Sequence, residues 1–127
     1  MKAIFLLGSE VDQPHADKII AALDERGIEH ELFVASAHKK TREVLEIIEK
    51  FDKEKVVYIT IAGRSNALSG VVAANSSKPV LACPPFKDKA DYLVNIHSTL
   101  QMPSATPVIT VLDPGNCAEA AARILQN

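Results

Sequence analysis

The six residues Val56-Val57-Tyr58-Ile59-Thr60-Ile61 are the part of the sequence that decides the fold. β-branched side chains dominate this run and none of its residues is charged, which is typical of a strand buried on both faces. Other short apolar runs predict strands at Ala3–Leu7, Glu31–Ala35, Pro79–Ala82 and Pro107–Leu112. Continuous apolar strands indicate a parallel sheet with helices on each side.

Amphipathic segments separate these runs and predict helices. In the first segment apolar residues recur at helical spacing from Ala16 to Leu23, and Gly27 follows as the residue that ends the helix. Further helices are predicted at Val44–Phe51, Ser65–Ala74, Tyr92–Leu100 and Ala118–Leu125. Because strands and helices alternate, the sequence predicts one flavodoxin-like, three-layer α/β/α domain over residues 1–127, with a parallel sheet in the order 2-1-3-4-5.

The composition excludes several classes of function. The chain has 127 residues, 47% of them hydrophobic, and a formal net charge of −2. This balance argues against a nucleic-acid binder and against a disordered chain. The two cysteines, Cys83 and Cys117, are too few for a disulfide scaffold or a zinc knuckle, which predicts a cytoplasmic protein. The short apolar run after Lys2 predicts a strand rather than a targeting segment, and no run is long enough to span a membrane.

The first candidate motif, Gly8-Ser9-Glu10-Val11-Asp12, follows the first strand. Gly8 permits a tight turn and the close approach of a ligand to the backbone. Ser9 offers a hydroxyl donor, and Asp12 can accept hydrogen bonds from sugar hydroxyls. The alternative is structural: Asp12 caps the following helix and Ser9 is a turn residue.

The second candidate motif, Ser36-Ala37-His38-Lys39-Lys40, follows the second strand. A histidine at the carboxyl end of a strand is a candidate general acid or base. The ammonium group of the adjacent Lys39 disfavours the imidazolium form and so favours a neutral base. In the structural alternative, Ser36 caps the next helix and the lysines are solvated.

The third candidate motif, Gly63-Arg64-Ser65-Asn66, follows the third strand. The guanidinium of Arg64 suits a carboxylate or a phosphate, and Asn66 can both donate and accept hydrogen bonds. The structural alternative makes Ser65 the cap of the next helix. Because all three motifs fall at neighbouring strand ends, we expect them to form one pocket.

The ordered set of motifs resembles the 5-aminoimidazole ribonucleotide carboxylase family, which includes the N5-carboxyaminoimidazole ribonucleotide mutases. The resemblance covers nearly the whole chain and includes Cys83-Pro84-Pro85, Gln101-Met102-Pro103-Ser104 and Gly115-Asn116. The pair His38-Lys39 and a third loop without histidine resemble the direct carboxylase branch rather than the mutases. Two positions depart from the family pattern, since Val11 stands where a serine is usual and Gln101 where an arginine is frequent.

The resemblance implies a site and a reaction. It implies that the substrate phosphate lies near Gly8 and Ser9, with the ribose on Asp12. His38 is the implied proton shuttle, and Lys39 and Arg64 would hold the phosphate or the new carboxylate. Ser36, Gly63, Ser65 and Asn66 complete the implied substrate-binding set.

The reaction that the resemblance implies joins CO2 to the nucleotide without ATP, biotin, a metal or another cofactor. It also implies a homo-octamer or homotetramer, with no nucleic-acid or membrane partner. The alternatives are the mutase and a non-catalytic nucleotide-binding module on the same fold.

Two further side chains have structural interpretations. His15 is predicted to be solvated in the first turn of a helix. Cys83 is predicted to be a buried small side chain rather than a nucleophile, because no base lies next to it in the sequence.

Overall fold

A computed structural model describes residues 1–127 as one parallel five-stranded sheet in the order β2-β1-β3-β4-β5. The predicted strand order is confirmed. The strands are β1 Lys2–Leu7, β2 Glu29–Val34, β3 Val56–Ile61, β4 Val80–Ala82 and β5 Ile109–Thr110. The helices are α1 Gln13–Glu25, α2 Thr41–Phe51, α3 Leu68–Asn75, α4 Lys89–Leu100 and α5 Pro114–Gln126, and a single 3₁₀ turn covers Glu10–Asp12.

The two faces of the sheet build two separate apolar cores. Successive side chains of a strand point to opposite faces, so Phe5 and Ile59 pack against α1 and α5, whereas Ile4 and Tyr58 pack against α2 and α3. Every residue of β3 is buried, because this strand lies between β1 and β4 and is covered on both faces. The composition of the β3 run therefore follows from its central position.

Helix α4 departs from the simple three-layer scheme. It contributes no side chain to either apolar core. Asp88 caps its first turn by accepting a hydrogen bond from the Asp91 amide at 2.8 Å. This cap starts the helix at Lys89, three residues before the predicted start at Tyr92.

Two other predicted boundaries are corrected. Strand β5 covers only Ile109–Thr110, because two residue pairs, Leu81↔Ile109 and Ala82↔Thr110, are all that join it to β4. Helix α3 begins at Leu68 rather than Ser65, since the preceding residues form the loop described below. No helix of the chain combines the length and the apolar composition needed to cross a membrane.

A partly buried polar cluster anchors β3 through Tyr58. The Tyr58 hydroxyl donates to Asp52 Oδ1 at 2.7 Å, and the Ser76 hydroxyl donates to the same oxygen at 2.7 Å. Burial, together with the hydrogen bond to Asp52, raises the pKa of Tyr58 above its usual range. The cluster joins the ends of α2 and α3 to the sheet.

The variant Tyr58→Phe is expected to lower the free energy of unfolding by about 1–2 kcal/mol, because a hydrogen bond to a charged group is lost within the core. Asp52 keeps its bond from Ser76, so the fold is retained. Urea unfolding measures the difference. An unchanged midpoint would show that the hydroxyl contributes nothing to stability.

Candidate functional site

A cavity of about 820 Å³ lies at the carboxyl ends of the first three strands. This volume is within the range of small-molecule sites. The strand order explains this position. β1 lies between β2 and β3, and in sheets of this kind a crevice forms at the point where the strand order reverses. Eight of the ten predicted site residues line it: Gly8, Ser9, Asp12, Ser36, His38, Gly63, Arg64 and Ser65.

The turn after β1 forms the first wall. The Gly8 amide donates to the Ile61 carbonyl at 3.0 Å, which holds the turn against the end of β3. A Cβ atom on Gly8 would lie 3.3 Å from Ala62 Cβ, so the site favours glycine. Ser9 precedes the 3₁₀ turn, and its Oγ accepts from the Val11 amide at 3.4 Å.

Asp12 lies at this wall with a carboxylate that makes no capping bond to α1. Asp12 occupies the N-cap position of α1, as the structural alternative predicts, but its side chain makes no capping hydrogen bond. Burial raises the pKa of Asp12, while a hydrogen bond from the Ser9 backbone and the charge of His15 oppose the shift. A half-buried carboxylate without a capping partner is suited to accept hydrogen bonds from a ligand.

The variant Asp12→Asn is expected to be at least as stable as the wild type at neutral pH. Folding disfavours the carboxylate, so Asp12 costs stability once the pH rises above its unfolded value of 3.8. Below about pH 3 the group is protonated in both states and the cost disappears. Unfolding by denaturant should give equal stabilities in acid and an advantage for the variant near neutrality; the reverse order would contradict this assignment.

The turn after β2 carries His38. The Lys40 amide donates to the Ser36 carbonyl at 2.8 Å, and the Lys39 amide donates to Ser36 Oγ at 3.3 Å. Ser36 thus closes the turn that precedes α2, and Lys40 rather than Ser36 occupies the capping position of that helix. The turn leaves the exposed His38 at the cavity wall, whereas Lys39 does not line the cavity.

The loop after β3 carries Arg64 and Ser65, both exposed at the cavity. Gly63 is required for close packing, since a Cβ atom there would lie 2.7 Å from the Pro85 carbonyl oxygen, which belongs to the neighbouring loop. Ser65 is not a helix cap. The amide of Ser69 in α3 instead donates to Asn66 Oδ1 at 3.1 Å.

Asn66 lies behind the cavity wall rather than in it. Only 2% of this residue is exposed, and the cavity lining does not include it. Its side-chain amide donates to Ser69 Oγ at 2.8 Å and to Thr99 Oγ1 at 2.9 Å. Because its donors and acceptor are satisfied within the protein, the structure assigns it a role in holding the loop rather than direct substrate contact.

A fourth wall lies outside the three predicted motifs, and of its residues the sequence had indicated only the Pro84-Pro85 turn as an edge of the pocket. It is formed by the loop before α4 and by one face of that helix: Pro85, Phe86, Lys87, Ala90, Asp91, Val94 and Asn95. Asp91 accepts from the Lys87 amide at 2.9 Å and from Asn95 Nδ2 at 2.6 Å, and the first of these bonds lowers the pKa of Asp91. The pair Asp88 and Asp91, spaced as a capping box, is the sequence signal for this helix start.

The environment of Cys83 also differs from the prediction. The residue is buried, as predicted, but the His15 imidazole Nε2 lies 3.4 Å from its Sγ. A hydrogen bond with the Cys117 thiol and a second one with His15 lower the pKa of Cys83. His15 is half-buried rather than solvated because this contact ties α1 to the end of β4.

The cavity combines groups with different chemical abilities. Arg64 and Lys87 supply positive charge, Ser9 supplies a hydroxyl group, and His38 supplies an imidazole able to move a proton. The structure contains no cluster of three or more His, Cys, Asp or Glu side chains arranged to hold a metal ion. Asp12 and Asp91 add two carboxylates, so the arrangement suits a small molecule with both an anionic group and hydroxyl or amine donors, which undergoes proton transfer.

The family model described as AIR carboxylase matches residues 2–127. A phosphoribosylaminoimidazole carboxylase of Archaeoglobus fulgidus is 48% identical over 124 residues, covering 98% of this chain and 68% of the relative. A probable multifunctional protein ADE2 of Caenorhabditis elegans is 44% identical over 124 residues, covering 96% of this chain and 29% of that longer protein. The crystal structure of Treponema denticola PurE matches with a TM-score of 0.89 and 42% identity, covering 98% of this chain and 79% of that one. The chain therefore belongs to the AIR carboxylase family.

Proposed function

We propose that the chain is a phosphoribosylaminoimidazole carboxylase, which reversibly joins CO2 to 5-aminoimidazole ribonucleotide and forms 4-carboxy-5-aminoimidazole ribonucleotide in de novo purine biosynthesis. The observation that carries the proposal is the convergence of Ser9, His38 and Arg64, from three separate loops, on one cavity. The similarity to carboxylases over nearly the whole chain supports it independently.

The turn after β1 is proposed to bind the ribose phosphate. Gly8 allows a phosphate to approach the backbone closely, and the Ser9 hydroxyl adds a donor beside it. The half-buried Asp12 carboxylate is placed to accept hydrogen bonds from the ribose hydroxyls. This arrangement orients the aminoimidazole ring toward the walls that carry His38 and Arg64.

The chemistry requires positioning and one proton transfer. The aminoimidazole ring is an enamine, so its ring carbon forms a C–C bond with CO2 when the two are held together. The resulting tetrahedral carbon carries both a proton and a carboxylate. His38 takes that proton, and the electron pair of the broken C–H bond restores the aromatic ring. In the reverse direction the same imidazole returns the proton to carbon.

Arg64 is proposed to hold the new carboxylate or the phosphate, because its guanidinium forms paired hydrogen bonds with planar or tetrahedral oxyanions. Ser36 and Ser65 line the same cavity and can orient the ring and the carboxyl group. Lys39 follows His38 directly and contributes positive charge to the site without lining the cavity. No step of this scheme calls for ATP, biotin or a metal ion.

The proposal includes assembly into a homo-octamer or homotetramer. Helix α4 exposes three large apolar side chains, with Leu93 53%, Val94 72% and Leu100 57% exposed. Exposed apolar groups of this size are suited to a subunit contact, and Val94 also lines the cavity. The two unpaired thiols, Cys83 and Cys117, support a location in the reducing cytoplasm.

Decarboxylation is the direct test. Purified protein should release CO2 from 4-carboxy-5-aminoimidazole ribonucleotide without ATP, and the loss of substrate absorbance gives the rate. A parallel assay with N5-carboxyaminoimidazole ribonucleotide tests the mutase, which the loop Gly63–Gly70 disfavours because it contains no histidine. Folded protein that binds the nucleotide but turns over neither compound would support the non-catalytic module instead.

A further inference from the structure

A buried polar network joins the Arg64 loop to helix α4. The Asn66 side chain donates to Thr99 Oγ1 at 2.9 Å, and the Asn66 backbone amide donates to Ser98 Oγ at 2.9 Å. Thr99 is 1% exposed and Asn66 is 2% exposed. The bond to Thr99 therefore forms away from bulk water, where an unmatched donor is costly, and the bond to Ser98 is partly buried.

The network continues into the sheet. Asn66 Nδ2 donates to Ser69 Oγ, which lies 2.7 Å from Thr60 Oγ1 on β3. Thr60 Oγ1 donates to the Leu81 carbonyl on β4 at 3.5 Å. One amide side chain thus links the loop to a strand, to α3 and to α4. No buried side-chain nitrogen or oxygen of the chain lacks a partner.

The turn after β2 is fixed differently. This turn is closed by hydrogen bonds from the Lys39 and Lys40 amides to Ser36, so its bonds span at most four residues. The Arg64 loop instead depends on Ser98 and Thr99, which lie 32 and 33 positions from Asn66 along the chain. Arg64 lies two residues before Asn66, so the backbone that carries the guanidinium is fixed from α4.

We propose that Thr99 and Ser98 are positioning residues for the reaction, which set the place of Arg64 through Asn66. This inference rests on the proposed function for its consequence in catalysis. Helix α4 also supplies a cavity wall through Asp91 and Asn95, and Ser98 donates to the Asn95 carbonyl at 3.1 Å. The helix therefore forms one wall of the cavity directly and fixes the loop that carries Arg64 through Asn66.

The variant Thr99→Val removes the acceptor of Asn66 and keeps the shape of the side chain. We expect kcat/KM to fall by about 10-fold to 100-fold, because small displacements of a positioned group have effects of this size. Thr99→Ser keeps a hydroxyl group and should restore most of the activity. The control Tyr58→Phe also removes a hydroxyl group of β3, but one that bonds to Asp52 rather than to the Asn66 network, and it should leave kcat/KM unchanged.

A double variant tests whether Thr99 acts through Arg64. If it does, Thr99→Val should have little further effect on kcat/KM in an Arg64→Met background, because the group that it positions is absent. A loss that multiplies fully in the double variant would overturn the proposal. A merely structural role would give the same loss in either background.

Hydrogen exchange at the amides of residues 63–67 supplies a readout independent of activity. Thr99→Val should raise their exchange relative to the rest of the chain, whereas Tyr58→Phe should not. Unchanged loop exchange in Thr99→Val overturns the positioning role. If the loop exchanges faster in Thr99→Val but the wild type has no carboxylase activity, Thr99 still holds the loop and the proposed function is wrong.

Discussion

Replacing His38 with asparagine is expected to lower kcat by about 10²–10⁴-fold, which is the usual contribution of a general acid or base. Asparagine keeps a polar side chain at the cavity wall but cannot accept the proton from the tetrahedral carbon at neutral pH. The nucleotide should still bind, since its proposed phosphate and ribose contacts lie on the turn after β1. Initial rates and equilibrium binding of the same variant separate the two effects.

The neighbouring Lys40 provides the matched control for His38. It shares the turn, it is exposed, and its amine pairs with Glu43 at 3.9 Å rather than lining the cavity. Lys40→Met should therefore retain wild-type kcat. A His38→Asn variant with wild-type kcat would remove the imidazole from the mechanism and leave the proton transfer to another group or to water.

The second large effect is expected at Arg64. Arg64→Met removes charge-assisted hydrogen bonds worth about 1.5–3 kcal/mol, so kcat/KM should fall by about 10-fold to 150-fold. Arg64→Lys keeps the charge but loses the planar fork, and we expect only partial recovery. The two constants kcat and KM should be measured separately. A rise in KM alone would assign the guanidinium to the phosphate, and a fall in kcat would assign it to the developing carboxylate.

Arg42 is the matched control for this substitution. It is an exposed arginine on α2 and lies outside the cavity lining. Arg42→Met changes the net charge by the same amount and should leave both kinetic constants unchanged. If Arg42→Met and Arg64→Met gave equal losses, the overall charge of the chain rather than a contact at the site would explain them.

Local sequence patterns were sufficient to predict most of the fold. The β3 run was predicted with its observed bounds, and the alternation of strands and helices was enough to predict the strand order. The reason is that a strand buried on both faces requires apolar, β-branched residues, and such residues occupy most of six consecutive positions. Strand β5 was predicted too long, since an edge strand needs little regular pairing.

The cavity lining was predicted where its residues directly follow the first three strands, and most of the wall from α4 was not predicted. Ser9, His38 and Arg64 were found because the carboxyl ends of parallel strands share one edge of the sheet. Asn66 could not be recognised as a buried loop anchor, because its partner Thr99 is 33 residues away. The contact between His15 and Cys83 joins residues 68 positions apart, and it could not be predicted from the sequence for the same reason.

Helix α4 is a cavity wall that takes no part in either apolar core. Most walls of an enzyme site cannot be altered without disturbing the framework that carries them. Ala90 and Val94 are exposed positions of α4 that line the cavity, whereas Ile96 and Thr99 of the same helix are buried. These two positions are therefore the natural starting point for engineering the chain to accept a bulkier substrate, because they can be changed while Thr99 keeps its bond to Asn66.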